Sequence, residues 1–102
     1  MKKIVISLGG SVLVPSLESN NISRYVSLLR RIAEQYQVFI VVGGGGEARR
    51  YIRVARDLNA GEAAADEIGI MVTRLNARLL MLGLGDAAYP RVAENYTEAR
   101  EF

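Results

Sequence analysis

Four consecutive glycines separate a β-type apolar run from a helical run rich in arginine. The glycines occupy residues 43–46 and follow the apolar residues 38–42. Glycine loses more backbone freedom on folding than any other residue, so four together cost stability unless the backbone needs that freedom. The same order occurs earlier, where the apolar residues 3–8 are followed by Gly9 and Gly10. Two strand–glycine units in succession predict an α/β protein with parallel strands.

The spacing of apolar side chains predicts the remaining elements. Spacings of three and four residues predict helices over 22–36, 47–58 and 66–84. The strand at 38–42 is apolar throughout, which is typical of a strand covered by helices on both faces. Glycine, serine, proline and asparagine predict a loop over residues 9–21. The order is therefore βαβαα, the front of an α/β sandwich with a mostly parallel sheet.

The helix predicted over residues 66–84 is apolar on several sides. One predicted stripe on it consists of Ile68, Met71, Val72, Leu75, Leu79 and Leu82. A helix of this kind is usually buried inside a larger domain or at a subunit interface. Residues 89–93 are predicted to be extended, and Thr97 to begin a helix that continues for only about one turn. The chain is therefore predicted to be the N-terminal part of a longer protein.

The composition excludes several kinds of chemistry. None of the 102 residues is cysteine or histidine, which excludes disulfides, thiolate metal sites and a histidine general base. The formal net charge is +2, and the basic residues form no long tract typical of nucleic-acid binding. No signal-peptide core is recognised, and no run approaches the roughly 20 apolar residues of a membrane span. We expect a cytoplasmic protein without nucleic-acid or membrane partners.

The two glycine turns are the candidate functional site. Ligands of open parallel sheets bind at the carboxyl ends of the strands, where both turns are predicted to lie. Glycine lets successive N–H groups line a concavity, and a helix N-terminus favours negative charge. Arg49 follows the second turn, and its guanidinium suits phosphate oxygens. This pattern favours anion binding over the plainer interpretation, in which the glycines only permit tight turns.

Two nucleotide-binding motifs can be compared with the second turn. The Walker A motif is absent. Gly43, Gly45 and Ala48 satisfy the G-x-G-x-x-[GA] spacing of dinucleotide-binding proteins, with Asp66 downstream. That interpretation is rejected because no apolar strand precedes Asp66. On pattern alone, Asp66 is more typical of a helix cap.

Three further arginines follow Arg49 in the same predicted helix. Arg53 and Arg56 share its face at helical spacing and are interpreted as solvated surface residues. The pattern leaves the role of Arg50 open.

Four segments together resemble the amino-acid kinase superfamily. They are SLGGSVLVP, VVGGGGEARRYI, ADEIGIMVTRLNARLL and AYPRV, and the resemblance extends over essentially the whole chain. Within that superfamily the chain is most similar to the uridylate (UMP) kinases of archaeal type. The resemblance implies a three-layer αβα sandwich with a mostly parallel sheet, of which this chain is the N-terminal half. It also implies transfer of the γ-phosphoryl group of ATP to UMP, with Mg²⁺, in a homohexamer built as a trimer of dimers.

The resemblance also implies roles for residues of both turns. Gly9, Gly10 and Ser11 match the family's first glycine turn, which lies beside the transferred phosphoryl group. Gly45 and Arg49 match positions assigned to the nucleotide phosphates. Of these residues, Gly10 and Arg49 are the ones expected to stabilise the phosphoryl group during transfer.

Two matched positions concern UMP itself. Gly44 matches a contact to the UMP phosphate, and Asp66 matches the carboxylate that holds the UMP ribose. That match replaces the helix-cap interpretation of Asp66. Thr73 and Asn76 lie in the family's interface helix and receive no ligand role. No residue of the chain is assigned to a metal.

The chain also departs from the pattern of the superfamily. Many members have a lysine two residues before the first glycine of the early turn, where this chain has Ser7. Uridylate kinases of archaeal type lack that lysine as well, and Lys3 does not match its position. The ATP-binding half, with its catalytic aspartate and lysine, is expected after residue 102. Residues 1–102 alone are therefore expected to be inactive.

Two other functions stay open. One is another kinase of the superfamily, acting on acetylglutamate, carbamate, aspartate or isopentenyl phosphate. Isopentenyl phosphate kinases carry a histidine near the second glycine turn, which this chain lacks. The other is a non-catalytic module that binds a nucleotide or an oxyanion.

Overall fold

A computed structural model of the chain describes residues 1–89. Its elements, in chain order, are β1 (Lys2–Leu8), α1 (Gly10–Leu13), α2 (Ile22–Ile32), β2 (Tyr36–Val42), α3 (Gly45–Asp57), α4 (Glu62–Leu84) and a final 3-10 turn (Gly85–Ala87). The βαβαα order predicted from the sequence is confirmed, with one short helix added. From residue 90 onward, the predicted extended piece and the helix predicted from Thr97 lie outside the described residues.

The two strands form a parallel pair. The register runs from Lys2 opposite Tyr36 to Leu8 opposite Val42, so the strands end at the same level. A parallel pair requires a crossover connection, and α2 supplies it. Because the strands end together, the glycine turn after each one lies at the same edge of the sheet.

The described core lies on one side of this sheet. It consists of Leu8, Leu13, Val14, Val26, Leu29, Val42, Leu80 and Leu84. These residues come from both strands, the α1 segment, α2 and α4, so α2 and α4 pack over one sheet face. The sequence predicted a β2 covered on both faces. Within residues 1–89 the opposite face is open, where Val5 is 71% and Val41 58% exposed.

Two element boundaries differ from the prediction because tertiary pairing overrides local pattern. The predicted loop over residues 9–21 contains α1, whose Leu13 is fully buried. The predicted helix over 22–36 ends at Ile32, since Tyr36 instead begins β2 opposite Lys2. The apolar side chain of Tyr36 fits both the helical spacing of α2 and the apolar strand β2. Its pairing with Lys2 of β1 places it in the strand.

The turn between α3 and α4 begins with a left-handed residue that ends α3. Asn59 adopts a left-handed conformation with φ of 64°. The N–H of Ala60 donates to the carbonyl of Ala55 at 3.0 Å, which satisfies an end carbonyl of α3. Gly61 then serves as the N-cap residue of α4.

The longest helix, α4, begins earlier than predicted and buries a different face. It starts at Glu62 rather than Asp66, contains Gly83, and ends at Leu84, with Gly85 as its C-cap residue at φ of 56°. Its buried residues are Ala65, Gly69, Val72, Asn76, Leu80 and Leu84. Half of the predicted stripe lies on the outside, where Met71, Leu75 and Leu82 are 60–71% exposed, and only its Val72 is buried. Small residues face inward because neighbouring segments approach α4 closely there.

The close approach is visible at the two interior glycines of α4. A β-carbon at Gly69 would lie 2.8 Å from Cδ1 of Ile52 on α3, and one at Gly83 would lie 2.8 Å from Cγ2 of Val26 on α2. Both neighbouring helices therefore pack on α4 at positions without a side chain. The guanidinium of Arg30 on α2 also donates to the carbonyl of Leu84 at 2.9 Å, at the carboxyl end of α4.

The helix α4 and the 3-10 turn after it form one long apolar stretch. By length and composition alone, Glu62–Ala87 is long and apolar enough to cross a membrane. The prediction that no segment approaches that length and hydrophobicity is therefore wrong. The core helix of a soluble protein meets the same criterion, and α4 packs against α2, α3 and β2.

Candidate functional site

The two glycine turns touch each other through their backbones. The N–H of Gly43 donates to the carbonyl of Leu8 at 3.0 Å, which extends the parallel ladder into the second turn. A β-carbon at Gly10 would collide with the carbonyl oxygen of Gly43 and the nitrogen of Gly45. Only glycine fits at residue 10 without moving main-chain atoms. The predicted pair of turns is thus one continuous backbone surface.

Gly45 is required for two separate reasons. Its φ is 65°, a left-handed conformation that side-chain-bearing residues rarely adopt. A β-carbon there would also lie 2.7 Å from the carbonyl carbon of Gly10 and from the nitrogen of Ser11. Packing and conformation thus account for this glycine whatever the site binds.

The remaining glycines of the turns differ in how closely they are packed. A β-carbon at Gly44 would lie 2.5 Å from the β-carbon of Ala48 and 2.9 Å from Oγ1 of Thr73. One at Gly9 or Gly46 would make only ordinary contacts, at 3.7 and 3.8 Å. The plainer interpretation, tight turns and close packing, therefore explains Gly10, Gly44 and Gly45 structurally, and it does not exclude a ligand role.

The second turn leads directly into the amino end of α3. Gly44 is the N-cap residue, and the helix begins at Gly45. The first N–H groups of any α-helix have no acceptor within the helix, and together with the helix dipole they favour an anion. These groups belong to a 13-residue helix. They lie beside the first turn because Gly10 packs against Gly43 and Gly45.

Arg49 connects the two turns through its side chain. Its Nη2 atom donates to Oγ of Ser11 at 3.4 Å, and both residues are exposed. The structure therefore brings Gly9, Gly10, Ser11, Gly44, Gly45 and Arg49 to one sheet edge.

A buried amide on α4 supports the second turn from beneath. Nδ2 of Asn76 donates to the carbonyl of Gly43 at 3.1 Å and to that of Gly44 at 3.3 Å. Asn76 is only 6% exposed. The sequence analysis assigned this residue no part in the site. Its signal was a lone polar amide inside an apolar helix, where a buried polar group needs a partner.

Asp66 lies on the same side of α4 but farther from the turns. Because α4 begins at Glu62, Asp66 belongs to the second helical turn and is not a cap. It precedes Gly69 and Thr73 by three and seven residues, which places all three on one helix face. Both of those residues contact the Gly44 position. Asp66 is exposed. Within residues 1–89 its carboxylate has no hydrogen-bond or ion-pair partner.

Two of the other arginines of α3 pair with carboxylates. Arg50 pairs with Glu47 at 2.7 Å, which answers the question left open for it. Arg56 was interpreted as merely solvated, but its guanidinium donates to both carboxylate oxygens of Glu62, at 3.2 and 3.0 Å. Exposed pairs of this kind contribute little to stability, roughly 0–1 kcal/mol.

The donor set of the site suits an anion and does not suit a metal. Its groups are backbone N–H donors, a hydroxyl and a guanidinium. Among residues 1–89 no group of three or more carboxylate, histidine or cysteine side chains is placed to hold a metal ion. A resident Mg²⁺ site built from these residues alone does not fit the structure, since Mg²⁺ requires oxygen ligands.

The fold and the site define a class of protein. Parallel strands that end in glycine turns, with a helix amino end and an arginine beside them, characterise α/β proteins that bind an anionic group at that sheet edge. The sequence matches the model of the amino acid kinase family over residues 2–100. The chain therefore belongs to the amino acid kinase family.

Individual relatives agree with this assignment. The chain is 82% identical over its whole length to the uridylate kinase of Methanoculleus marisnigri and 61% identical to that of Methanoregula boonei, and it covers 44% of each. A crystal structure of uridylate kinase from Archaeoglobus fulgidus matches 99% of this chain with a TM-score of 0.87 at 46% identity, over 45% of that chain. The chain thus spans less than half the length of these relatives.

Proposed function

We propose that this chain is the phosphate-acceptor part of a uridylate kinase, which transfers the γ-phosphoryl group of ATP to UMP and forms UDP. In this proposal residues 1–102 are the N-terminal, UMP-binding portion of a single amino-acid kinase domain. An ATP-binding portion would follow residue 102. The reaction would belong to pyrimidine nucleotide biosynthesis in the cytoplasm.

One geometric observation carries the proposal most directly. The two glycine turns meet backbone to backbone, so that a β-carbon at Gly10 would strike main-chain atoms of Gly43 and Gly45. Two anionic groups held by these turns would lie next to each other, as donor and acceptor phosphates must. The uridylate kinase names of relatives at up to 82% identity support UMP as the acceptor.

The proposed mechanism relies on alignment and charge stabilisation. Phosphoryl transfer spreads negative charge over the equatorial oxygens, so fixed donors aimed at those oxygens lower the barrier. The N–H of Gly44 would hold the UMP phosphate. The N–H groups at Gly10 and Gly45, with the guanidinium of Arg49, would stabilise the phosphoryl group in transfer.

Three further residues complete the proposed site. Gly9 and Ser11 flank Gly10 in the first turn and would contact the ATP phosphates, with Ser11 already hydrogen-bonded to Arg49. Asp66, on the face of α4 that approaches Gly44, would accept hydrogen bonds from the UMP ribose. No histidine base is needed, because positioning and electrostatics supply most of the catalysis.

Mg²⁺ would enter the site with ATP. It would be bound through phosphate oxygens and residues outside 1–89, since the described donors suit anions. Its role would be to neutralise charge on the phosphates.

We further propose that the protein assembles with copies of itself, and that it has no nucleic-acid or membrane partner. The supporting observation is the outer face of α4, formed by Met71, Leu75 and Leu82, where large apolar side chains are 60–71% exposed. Exposed apolar surface of this kind favours burial against another protein surface. A hexamer built as a trimer of dimers follows from the family resemblance alone.

The test uses a full-length hybrid, in which this chain replaces the matched segment of the Methanoculleus marisnigri uridylate kinase. ADP release measured with ATP, Mg²⁺ and UMP should proceed in the hybrid and stop when UMP is omitted. The parent enzyme is the positive control. An inactive but folded hybrid beside an active parent would contradict the proposal.

A panel of acceptors separates the alternatives. Acetylglutamate, carbamate, aspartate and isopentenyl phosphate should each give turnover far below that with UMP. Calorimetry with UMP in the absence of ATP addresses the remaining alternative, because a non-catalytic module would bind the nucleotide without supporting ADP release. Residues 1–102 alone are expected to give no turnover, and activity from that piece would refute the assigned division of the domain.

A further inference from the structure

The carboxamide of Asn76 is the one side chain of α4 that donates hydrogen bonds to the second glycine turn in the described part of the chain. Its Nδ2 lies 3.1 Å from the carbonyl oxygen of Gly43 and 3.3 Å from that of Gly44. Carbonyl oxygens only accept hydrogen bonds, so the amide must present its nitrogen rather than its oxygen to the turn. The contact therefore has a defined direction.

Holding these two carbonyls also orients the N–H groups of the turn. In a trans peptide unit the C=O and the N–H point in opposite directions, and no peptide bond described here is cis. When the carbonyl of Gly43 points to α4, the N–H of Gly44 points away from α4. The carbonyl of Gly44 fixes the N–H of Gly45 in the same way.

Glycine by itself would not hold this arrangement. Glycine residues populate left- and right-handed conformations about equally, so a turn of four samples several peptide orientations at little cost. Gly44 has φ of −87° and Gly45 has φ of 65°, so adjacent residues lie in different regions. A fixed donor beneath both peptides selects one of the available orientations.

The burial of Asn76 makes it suitable for this task. At 6% exposure it has little access to water, and its helix packs against both α3 and β2, which flank the turn. A buried polar group without its partners is costly, so the carbonyls and the amide hold each other in place. The side chain is thus anchored on a rigid element rather than on a loop.

We infer that Asn76 is a positioning residue for phosphate binding: it aims the N–H group of Gly44 at the acceptor phosphate without touching the ligand. This inference rests on the proposed function in so far as UMP is the ligand. Asn76 therefore contributes to the affinity for the phosphate group and not to the affinity for the rest of the nucleotide.

The experiment measures UMP and uridine binding to the full-length hybrid by calorimetry, with uridine measured by competition. Asn76→Leu keeps the approximate size of the side chain and removes both donors. We expect the ratio of the uridine Kd to the UMP Kd to fall about tenfold, the size of effect expected for losing buried hydrogen bonds. KM for UMP should rise by a similar factor while KM for ATP stays unchanged.

Thr73→Val is the matched control. Thr73 lies on the same face of α4 and adjoins Gly44, but its hydroxyl donates to the carbonyl of Gly69 in its own helix, at 3.0 Å. Removing that hydroxyl leaves the carbonyls of the turn paired with Asn76. The uridine to UMP ratio of this variant should equal that of the unmodified hybrid.

Each outcome decides the question. An unchanged ratio in Asn76→Leu, or an equal fall in Thr73→Val, overturns the inference. If Asn76→Leu does not fold, Asn76→Asp provides the same shape without a donor and should lower the ratio at least as much. Failure of both variants to fold would mean a structural role only. A hybrid that shows no kinase activity, yet discriminates UMP from uridine through Asn76, would refute the proposed function and leave this inference standing.

Discussion

The two sides of α4 differ in a way that reverses the usual rule. Where it faces the glycine turn and α3, the inner side carries the small or polar residues Gly69, Thr73 and Asn76. At the same level the outer side carries Met71 and Leu75, which are more apolar and yet exposed. In this stretch, hydrophobicity alone would bury the outer side. Which residues face inward here is therefore set by how closely neighbouring segments must approach the backbone of α4, and not by hydrophobicity.

The largest expected effect tests that close approach within the site. Gly10→Ala places a β-carbon against backbone atoms of Gly43 and Gly45, which cannot move aside as a flexible side chain can. We expect a loss of about 3 kcal/mol or more in the free energy of unfolding of the hybrid. Denaturant melts measure this loss of stability. ADP release should show that UMP kinase activity is nearly abolished.

Gly61→Ala is the matched control for that substitution, because nothing lies within 4 Å of a β-carbon at Gly61. It should change stability by no more than about 1 kcal/mol, because alanine is a poorer N-cap residue than glycine but restricts the unfolded chain more. Equal destabilisation by the two substitutions would contradict the account of the packed turns.

The second expected effect concerns charge at the same edge. Arg49→Ala removes the guanidinium that bridges to Ser11 and should cost roughly 2–4 kcal/mol of transition-state stabilisation, by analogy with the loss of one fixed donor. Because the side chain is exposed, the free energy of unfolding should hardly change. Steady-state kinetics of the hybrid measure the loss in kcat/KM.

Arg53→Ala provides the comparison one helical turn along α3. Arg53 is exposed and has no ion-pair partner within residues 1–89, so its removal should leave kcat/KM unchanged. Near-normal kcat/KM in Arg49→Ala would remove this arginine from the proposed site.

A smaller effect is expected where α4 meets α3. A β-carbon at Gly69 would lie 2.8 Å from Cδ1 of Ile52, the flexible end of a side chain. Gly69→Ala should therefore destabilise by about 1 kcal/mol, since Ile52 can shift and alanine favours the helix. The double variant with Ile52→Val should recover part of that loss in thermal melts. If the double variant recovers none of the stability, or if Gly69→Ala alone costs much more than about 1 kcal/mol, then the backbones of α3 and α4 set the distance between these helices, and Ile52 does not.

The smallest expected effect on folding lies on the outer side of α4. Leu75 is 60% exposed, so Leu75→Glu should change the free energy of unfolding of the separated subunit by only about 0.5 kcal/mol. Its effect should appear in assembly, because a carboxylate on an apolar contact surface opposes association. Light scattering should report a smaller particle for Leu75→Glu than for the unmodified hybrid. An unchanged particle mass would show that this face is not the interface.

Sequence pattern predicted the strands and turns more successfully than it predicted the faces of the helices. The short apolar run over residues 3–8 and the glycines that follow predicted β1 and the first turn correctly. The apolar spacing of α4 did not identify its buried side, because several sides are apolar and periodicity cannot rank them. The family resemblance assigned Ser11 and Arg49 to phosphate contacts, which stay predictions, and the structure places the two side chains together.

Asn76 illustrates what sequence reasoning missed in the site. Its hydrogen bonds join positions 33 and 32 residues apart, and only the packing of α4 beneath the second turn creates them. The binding roles of Gly9, Gly10, Ser11, Gly44, Gly45, Arg49 and Asp66 remain predictions. What the structure adds is that the turn residues and Arg49 share one sheet edge, with Asp66 on the helix face leading to it.

The sequence by itself determined that two strands would end in glycine turns, because glycine alone permits the required backbone and its positions are explicit. It also determined the family, through segments spread along the whole chain. Only the tertiary structure decided which face of α4 is buried and which atoms hold the second turn. Those features depend on distances between segments far apart in the chain, and a linear pattern of hydrophobic and polar residues carries no such distances.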